Sequence, residues 1–102
     1  MSATGFEKNG SVLTVRPEGR LDTAASPALE RELQQRLDGV TEVVMDFAKV
    51  EYISSGGLRV LLAAEQLLEE KGGGLRVIHV NANILEIFEL VGFMDVVTVV
   101  PG

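Results

Sequence analysis

Apolar residues stand at Phe6 and again at Val12, Leu13 and Val15 on either side of Asn9-Gly10, recur every four positions from Leu29 to Leu37, and later gather in short runs. Each spacing predicts an element. Phe6–Asn9 reads as a short strand. Asn9-Gly10 then predicts a type I′ hairpin turn, whose two central positions need positive φ. Ser11–Arg16, carrying Val12, Leu13 and Val15, is the returning strand, so the first two strands are expected to be antiparallel. Pro17-Glu18-Gly19 interrupts the pattern, and Arg20-Leu21-Asp22 follows. Ser26-Pro27 predicts a helix start, with Ser at the N-cap and Pro at the first helical position. Leu29, Leu33 and Leu37 form one apolar stripe, and Gly39 ends the helix.

Glu42–Phe47 reads as a mostly buried strand. A second helix opens near Ser54, with Leu58, Leu61, Leu62, Leu68 and alanines on its apolar face. Glu65, Glu69, Glu70 and Lys71 are assigned to its solvent side, and Gly72-Gly73-Gly74 stops it. Leu75–Val80 is a strand, Asn83–Val91 a third helix closed by Gly92, and Asp95–Val100 a last strand before Pro101. The order ββαβαβαβ predicts an α/β fold. Its sheet should be mixed, an N-terminal antiparallel hairpin joined to parallel strands, with helices covering it through right-handed crossovers. No repeat or low-complexity linker divides the chain, so one domain spanning residues 1–102 is expected.

Composition narrows the function classes. Nine basic against 15 acidic residues leave a net charge of −6. No Lys/Arg stripe is present for phosphates, so no nucleic-acid partner is expected. The chain has no cysteine, which removes disulfides and zinc–thiolate sites. No apolar run approaches the roughly 20 residues of a membrane-spanning helix. Met1-Ser2-Ala3-Thr4-Gly5 lacks the basic and apolar regions of a secretion signal. A cytoplasmic protein without a membrane partner is therefore expected, as a monomer or weak dimer.

The chemistry concentrates in Asp46-Phe47-Ala48-Lys49-Val50-Glu51-Tyr52-Ile53-Ser54-Ser55-Gly56-Gly57-Leu58-Arg59-Val60-Leu61. A buried strand runs through a loop into two serines, two glycines and a helix. The serines fall at the helix N-cap, where backbone N–H groups lack intrahelical acceptors and the dipole favours negative charge. A phosphate there would be tolerated by the protein itself, and the glycines would let another protein approach the hydroxyl. Periodicity alone is equally met by an ordinary capped helix.

Tyr52-Ile53-Ser54-Ser55-Gly56-Gly57-Leu58-Arg59-Val60-Leu61 resembles the signature of STAS-domain anti-sigma-factor antagonists. Gly19-Arg20-Leu21-Asp22 resembles that family's Gly-x-Leu-Asp segment. Val43–Phe47, Gly73–Val77 and Ile87–Phe93 extend the likeness over nearly the whole chain. The resemblance implies a non-enzymatic binding switch without cofactor or metal. Its unphosphorylated form would bind an anti-sigma factor that is also a serine kinase. Phosphorylation would break that complex, and a metal-dependent serine phosphatase would restore it. The family's acceptor serine lies two residues before a Gly-Leu pair; Gly57-Leu58 is that pair, so the resemblance assigns Ser55, with Ser54 the lesser candidate. Ser54 stands where many members have Asp, and Gly56 where many have Ser, Thr or Ala. The partner surface implied is Asp22, Ser54, Ser55, Gly56, Gly57 and Arg59. The competing reading is a constitutive STAS assembly subunit of a signalling scaffold or lipid-transport complex, in which Ser55 is only a helix cap.

Three further features have plainer readings. Asp22 also suits an Asx turn before the Ser26 helix, and Arg59 a solvated charge. His79, the only histidine, has no carboxylate motif beside it in sequence, so neither a metal nor a general-base role is assigned. Asp46 as a receiver-type phosphoaspartate is rejected, because Thr14–Glu18 supplies no acidic pair. Most of the apolar block of Ile84, Leu85, Ile87, Phe88, Leu90, Val91, Phe93 and Met94 is assigned to the core, the alternative being an excess apolar edge that serves as an exposed partner patch.

Overall fold

The computed structural model describes residues 4–102. Met1–Ala3, part of the segment read as lacking a secretion signal, lie outside the described residues. The elements are β1 (Thr4–Asn9), β2 (Val12–Leu21), α1 (Ser26–Gln34), β3 (Glu42–Asp46), β4 (Lys49–Ile53), α2 (Ser55–Glu70), β5 (Gly74–Val80), α3 (Ala82–Leu90), a 3₁₀ turn at Phe93–Asp95, and β6 (Thr98–Pro101). The antiparallel β1–β2 pair and the parallel pairing of the other strands agree with the expected mixed sheet. The hairpin differs in detail. Asn9 pairs with Val12, so the central residues are Gly10 and Ser11. Only Gly10 has positive φ, 64°, which is the glycine-first requirement of a II′ turn rather than I′.

The sheet order β1-β2-β3-β5-β6 advances in one direction. Right-handed crossovers in such an order deliver every connecting helix to the same face. Burial follows: Leu13, Val15 and Leu21 of β2 are buried under the helices, while Arg16 and Arg20 on alternate positions are exposed. Leu29 and Leu33 of α1, Leu61 and Leu68 of α2, and Ile84 and Phe88 of α3 close the core from above. Phe88 stacks on Phe93 at 4.5 Å between ring centroids and meets Phe47 at 6.3 Å.

The sequence pattern missed one strand. Lys49–Ile53 lies in what reads as a loop, yet it pairs in parallel with Glu18–Leu21 of β2. β2 crosses the Pro17-Glu18-Gly19 interruption because its partner changes there. Val12–Val15 pair with β3 and Glu18–Leu21 with β4. Gly19 takes φ 81° at this change, and the register shifts between Gly19 and Arg20, a bulge that glycine adopts without steric cost. Five residues are too few for periodicity to separate a strand from a loop.

The helix boundaries shift as well. α1 ends at Gln34 rather than Gly39; the chain tightens as Arg36 N–H bonds Leu33 O, and Leu37 stays buried beyond the helix. Lys71 Nζ donates to the carbonyls of Leu37 and Val40 at 2.7 and 3.1 Å, tying that turn to the end of α2. Ser26 is not the N-cap of α1: that position is Ala25, and the Ser26 hydroxyl turns back to donate to Asp22 O at 2.6 Å. α3 starts one residue earlier, at Ala82, because the Asn81 side chain caps it by accepting from Ile84 N–H. β6 starts only at Thr98, since Phe93–Asp95 is wound into the 3₁₀ turn.

Glu65, which the sequence pattern puts on the solvent side of α2, is only 6% exposed. Gly74 N–H reaches Thr41 O on the β3 side, so Leu75 N–H points the opposite way. β6 pairs with β5 only from Arg76 onward. Glu65 Oε2 fills the gap, accepting from Leu75 N–H at 3.0 Å. Glu65→Ala is therefore expected to lower the unfolding free energy by about 1–3 kcal/mol, the cost of a buried donor left without an acceptor. Glu65→Gln, which keeps a carbonyl oxygen, should lose much less. Urea denaturation of the two variants checks this.

Candidate functional site

β4 exists to deliver the serines. Its alignment on the far half of β2 places Ser54 beside Leu21, and Ser54 N–H donates to Leu21 O at 2.9 Å. The Ser54 backbone is extended (φ −95°, ψ 175°), and its side-chain oxygen accepts from Gly57 N–H at 3.4 Å. The same hydroxyl lies 3.3 Å from Leu21 O and donates to it. Ser54 is thus the N-cap of α2, held between two backbone groups and partly buried. Ser55, the first residue of the helix, is exposed.

The glycines divide differently from the sequence reading. Gly57 is buried. A Cβ there would stand 2.8 Å from Leu21 O and 2.7 Å from Ile53 Cγ1. Gly57 therefore lets the first turn of α2 approach the ends of β2 and β4; its missing side chain serves internal packing, not access from outside. Gly56 faces the loop after β2: its Cβ would meet Ser26 Oγ at 3.4 Å and Thr23 Cα at 3.6 Å.

That loop is organised by Asp22. Its Oδ1 accepts from Ala24 N–H at 3.1 Å and Ala25 N–H at 3.0 Å, and its carbonyl accepts from Ser26 N–H and hydroxyl. This is the Asx-turn geometry. The Asp22, Ser54, Ser55, Gly56 and Gly57 segments converge at one end of the sheet. Arg59, exposed, lies four residues beyond Ser55 and so one turn along the same helix face. Sequence reasoning did not single out Thr23, exposed beside Gly56, or the stacking of Arg20 on the Tyr52 ring at 4.4 Å. Both depend on the register of β2 with β4. Asn81 Nδ2 also donates to Val50 O at 3.1 Å, joining the start of α3 to β4.

His79 has the carboxylate partner that its sequence neighbours lack. Asp46 Oδ1, at the end of β3, is 2.8 Å from His79 Nδ1. Arg16 Nε is 3.9 Å from Asp46 Oδ2, and the Arg16 guanidinium also reaches Glu7 at 3.0 Å. His79 is the one non-glycine among the described residues with positive φ, 58°, at a register shift between β5 and β6. Partial burial disfavours the charge on Asp46. The His79 bond, the Ala48 N–H and the nearby charges of His79 and Arg16 outweigh it and hold the pKa below the ordinary 3.8.

The match to known proteins agrees with this arrangement. A family model described as the Mlab, STAS domain matches residues 4–100. A Bordetella bronchiseptica protein named as a candidate anti-sigma factor antagonist, BtrV, is 33% identical over 92 residues, covering 89% of this chain and 79% of that one. The crystal structure of an anti-sigma factor antagonist from Mycobacterium paratuberculosis superposes with a TM-score of 0.83 at 25% identity, over 100% of this chain and 87% of the other. A Thermotoga maritima candidate antagonist of 15% identity shares the fold, with a TM-score of 0.90 over 97% and 86% of the two chains.

Two stability tests follow from the geometry. Gly57→Ala is expected to cost about 1–3 kcal/mol through overpacking against Leu21 O and Ile53. Gly56→Ala, with no contact under 3.4 Å, should change much less; chemical denaturation of both separates the cases. For Asp46, a folded pKa below the unfolded one means the stabilisation is present above the unfolded pKa and is lost as pH falls through the folded value. Asp46→Asn should therefore be less stable than the parent at pH 7, and the gap between their urea midpoints should close below about pH 4.

By the STAS-domain match over residues 4–100 and the 33% identity to the Bordetella bronchiseptica relative, the chain belongs to the STAS-domain family of anti-sigma-factor antagonists.

Proposed function

We propose that this chain is a partner-binding switch controlled by phosphorylation of Ser55. Unmodified, it binds an anti-sigma factor that is also a serine kinase, and the sigma factor is freed. Phosphate on Ser55 releases the partner, and a metal-dependent serine phosphatase resets the cycle. The switch operates in the cytoplasm; among the described residues no helix is long and apolar enough to cross a membrane.

The observation that carries this reading is the division of labour between the two serines. Ser54 is the cap, and its oxygen is engaged with Gly57 N–H and Leu21 O. Ser55 stands exposed on the first turn and is not needed to start the helix. The reading of Ser55 as only a helix cap assigns it a role that Ser54 already fills.

Phosphorylation adds roughly −1.5 to −2 charge at neutral pH. On the first turn of α2 that charge meets the positive end of the helix dipole, and Arg59 lies one turn away for an ion pair. The protein's own fold therefore tolerates the modification, and the penalty falls on the complex. One like-charge pair about 4 Å apart at an effective dielectric of about 20 costs ~4 kcal/mol, near a thousandfold in affinity. Partner carboxylates facing Ser55 supply the repulsion, and the bulk of the phosphate adds to it.

The test uses wild type, Ser55→Ala and Ser55→Asp as parallel baits in lysate of the source organism. Bound proteins are identified by mass spectrometry, and phosphate on the wild-type bait is mapped to its residue. A serine kinase retained by wild type and Ser55→Ala, lost with Ser55→Asp, and phosphate on Ser55 is the expected result. Equal retention by all three baits with no phosphate would sink the proposal. Thermal unfolding of Ser55→Asp within about 5 °C of wild type shows that any loss of binding is not loss of fold.

A further inference from the structure

The apolar block at the C-terminal end does not all enter the core. Ile84, Phe88, Phe93 and Val97 are buried, but Leu90 is 80% exposed, Val91 58%, Val96 52% and Met94 41%. The buried members anchor the segment, and Gly92, at φ 70°, turns the chain between α3 and the 3₁₀ turn. Four large apolar side chains thus stay in water within seven residues of a tightly wound turn. Scattered single exposures are ordinary; a local cluster marks an interaction surface.

The charge along the segment that carries the cluster points to the kind of surface that covers it; the nearest basic residue in sequence, Arg76, lies across from Thr98 on β6. From Val77 to Gly102 the chain carries three carboxylates, Glu86, Glu89 and Asp95, and no lysine or arginine. All three are exposed. Glu86 precedes Leu90 by one helical turn, and Asp95 stands between Met94 and Val96. A second copy docked through the same patch about a two-fold axis would set carboxylate against carboxylate. A membrane with anionic headgroups would be repelled for the same reason.

We propose that Leu90, Val91, Met94 and Val96 form a second docking surface, for a protein segment with an apolar face flanked by lysine or arginine, an amphipathic basic helix. The surface is carried by the helix that packs on β4 and bonds Val50 through Asn81. It includes no residue of the Ser54–Gly57 turn, and its docking does not require phosphorylation of Ser55.

The test titrates ¹⁵N-labelled protein with a synthetic amphipathic peptide of about four helical turns, with leucine on one face and lysine on the other. A second peptide carries glutamate in place of lysine. Binding of the lysine peptide should shift amide signals between Glu86 and Val97 and weaken with added salt. The glutamate peptide should not bind. Leu90→Ser/Val91→Ser should lower the lysine-peptide affinity about tenfold or more, and Ser55→Asp should leave it unchanged. Shifts scattered over other acidic surfaces, or equal affinity for the double variant, would overturn the proposal. So would binding to phosphatidylglycerol vesicles through these residues, or micromolar self-association abolished by the double variant.

Discussion

The approach of the first turn of α2 to the carbonyl of Leu21 is the constraint on which the rest of the site depends. That oxygen, at the end of β2, receives the Ser54 N–H and the Ser54 hydroxyl. Gly57 packs so close that a single methyl group would stand 2.8 Å from it. Strand end, cap and helix start are locked by backbone groups and by the absence of one side chain. Such a junction tolerates little movement. The phosphate proposed for the next residue, Ser55, would therefore be displayed on a rigid surface rather than absorbed by local refolding.

Several features lie upstream of that contact. β2 must continue past Pro17 so that Leu21 reaches the end of the sheet, and the Gly19 bulge permits it. β4 must pair with this extension, because it carries Ser54. Asn81 secures β4 from the side of α3, and Asp22 folds the adjoining loop so that Thr23 and Ser26 lie against Gly56. At the other end of α2, Glu65 and Lys71 satisfy backbone groups of Leu75, Leu37 and Val40. Both ends of the helix are thus tied to the sheet side of the molecule by polar contacts, while its leucines supply the apolar burial between them. The fold spends polar side chains on backbone groups at strand ends, where ladder pairing runs out.

The one-directional strand order has its own consequence. All the crossover helices lie on one face, so the other face of the sheet keeps Arg16, Asp46, His79 and Arg76. There the Glu7–Arg16–Asp46–His79 chain links β1, β2, β3 and β5 across the register. His79 holds a left-handed backbone conformation, which costs of order 1–3 kcal/mol for a non-glycine residue, and its bond to Asp46 helps to hold it.

The amino-acid sequence by itself determined the class of most elements, the mixed sheet with its antiparallel hairpin, and the segment where the serines meet a helix start. Those features are local: hydrophobic period, glycine stops and short-range capping chemistry are written in adjacent residues. Likeness to a family supplied the role proposed for Ser55, which no periodicity encodes. The tertiary structure alone decided what depends on residues distant in sequence. It made Lys49–Ile53 a strand, because its partner is Glu18–Leu21. It buried Glu65, because Leu75 N–H needed an acceptor where β6 had not yet begun. It gave His79 a carboxylate 33 positions away, and turned Gly57 inward against Leu21. It also left Leu90 and Val91 in water, because an apolar side chain is buried only where a neighbouring element arrives to cover it.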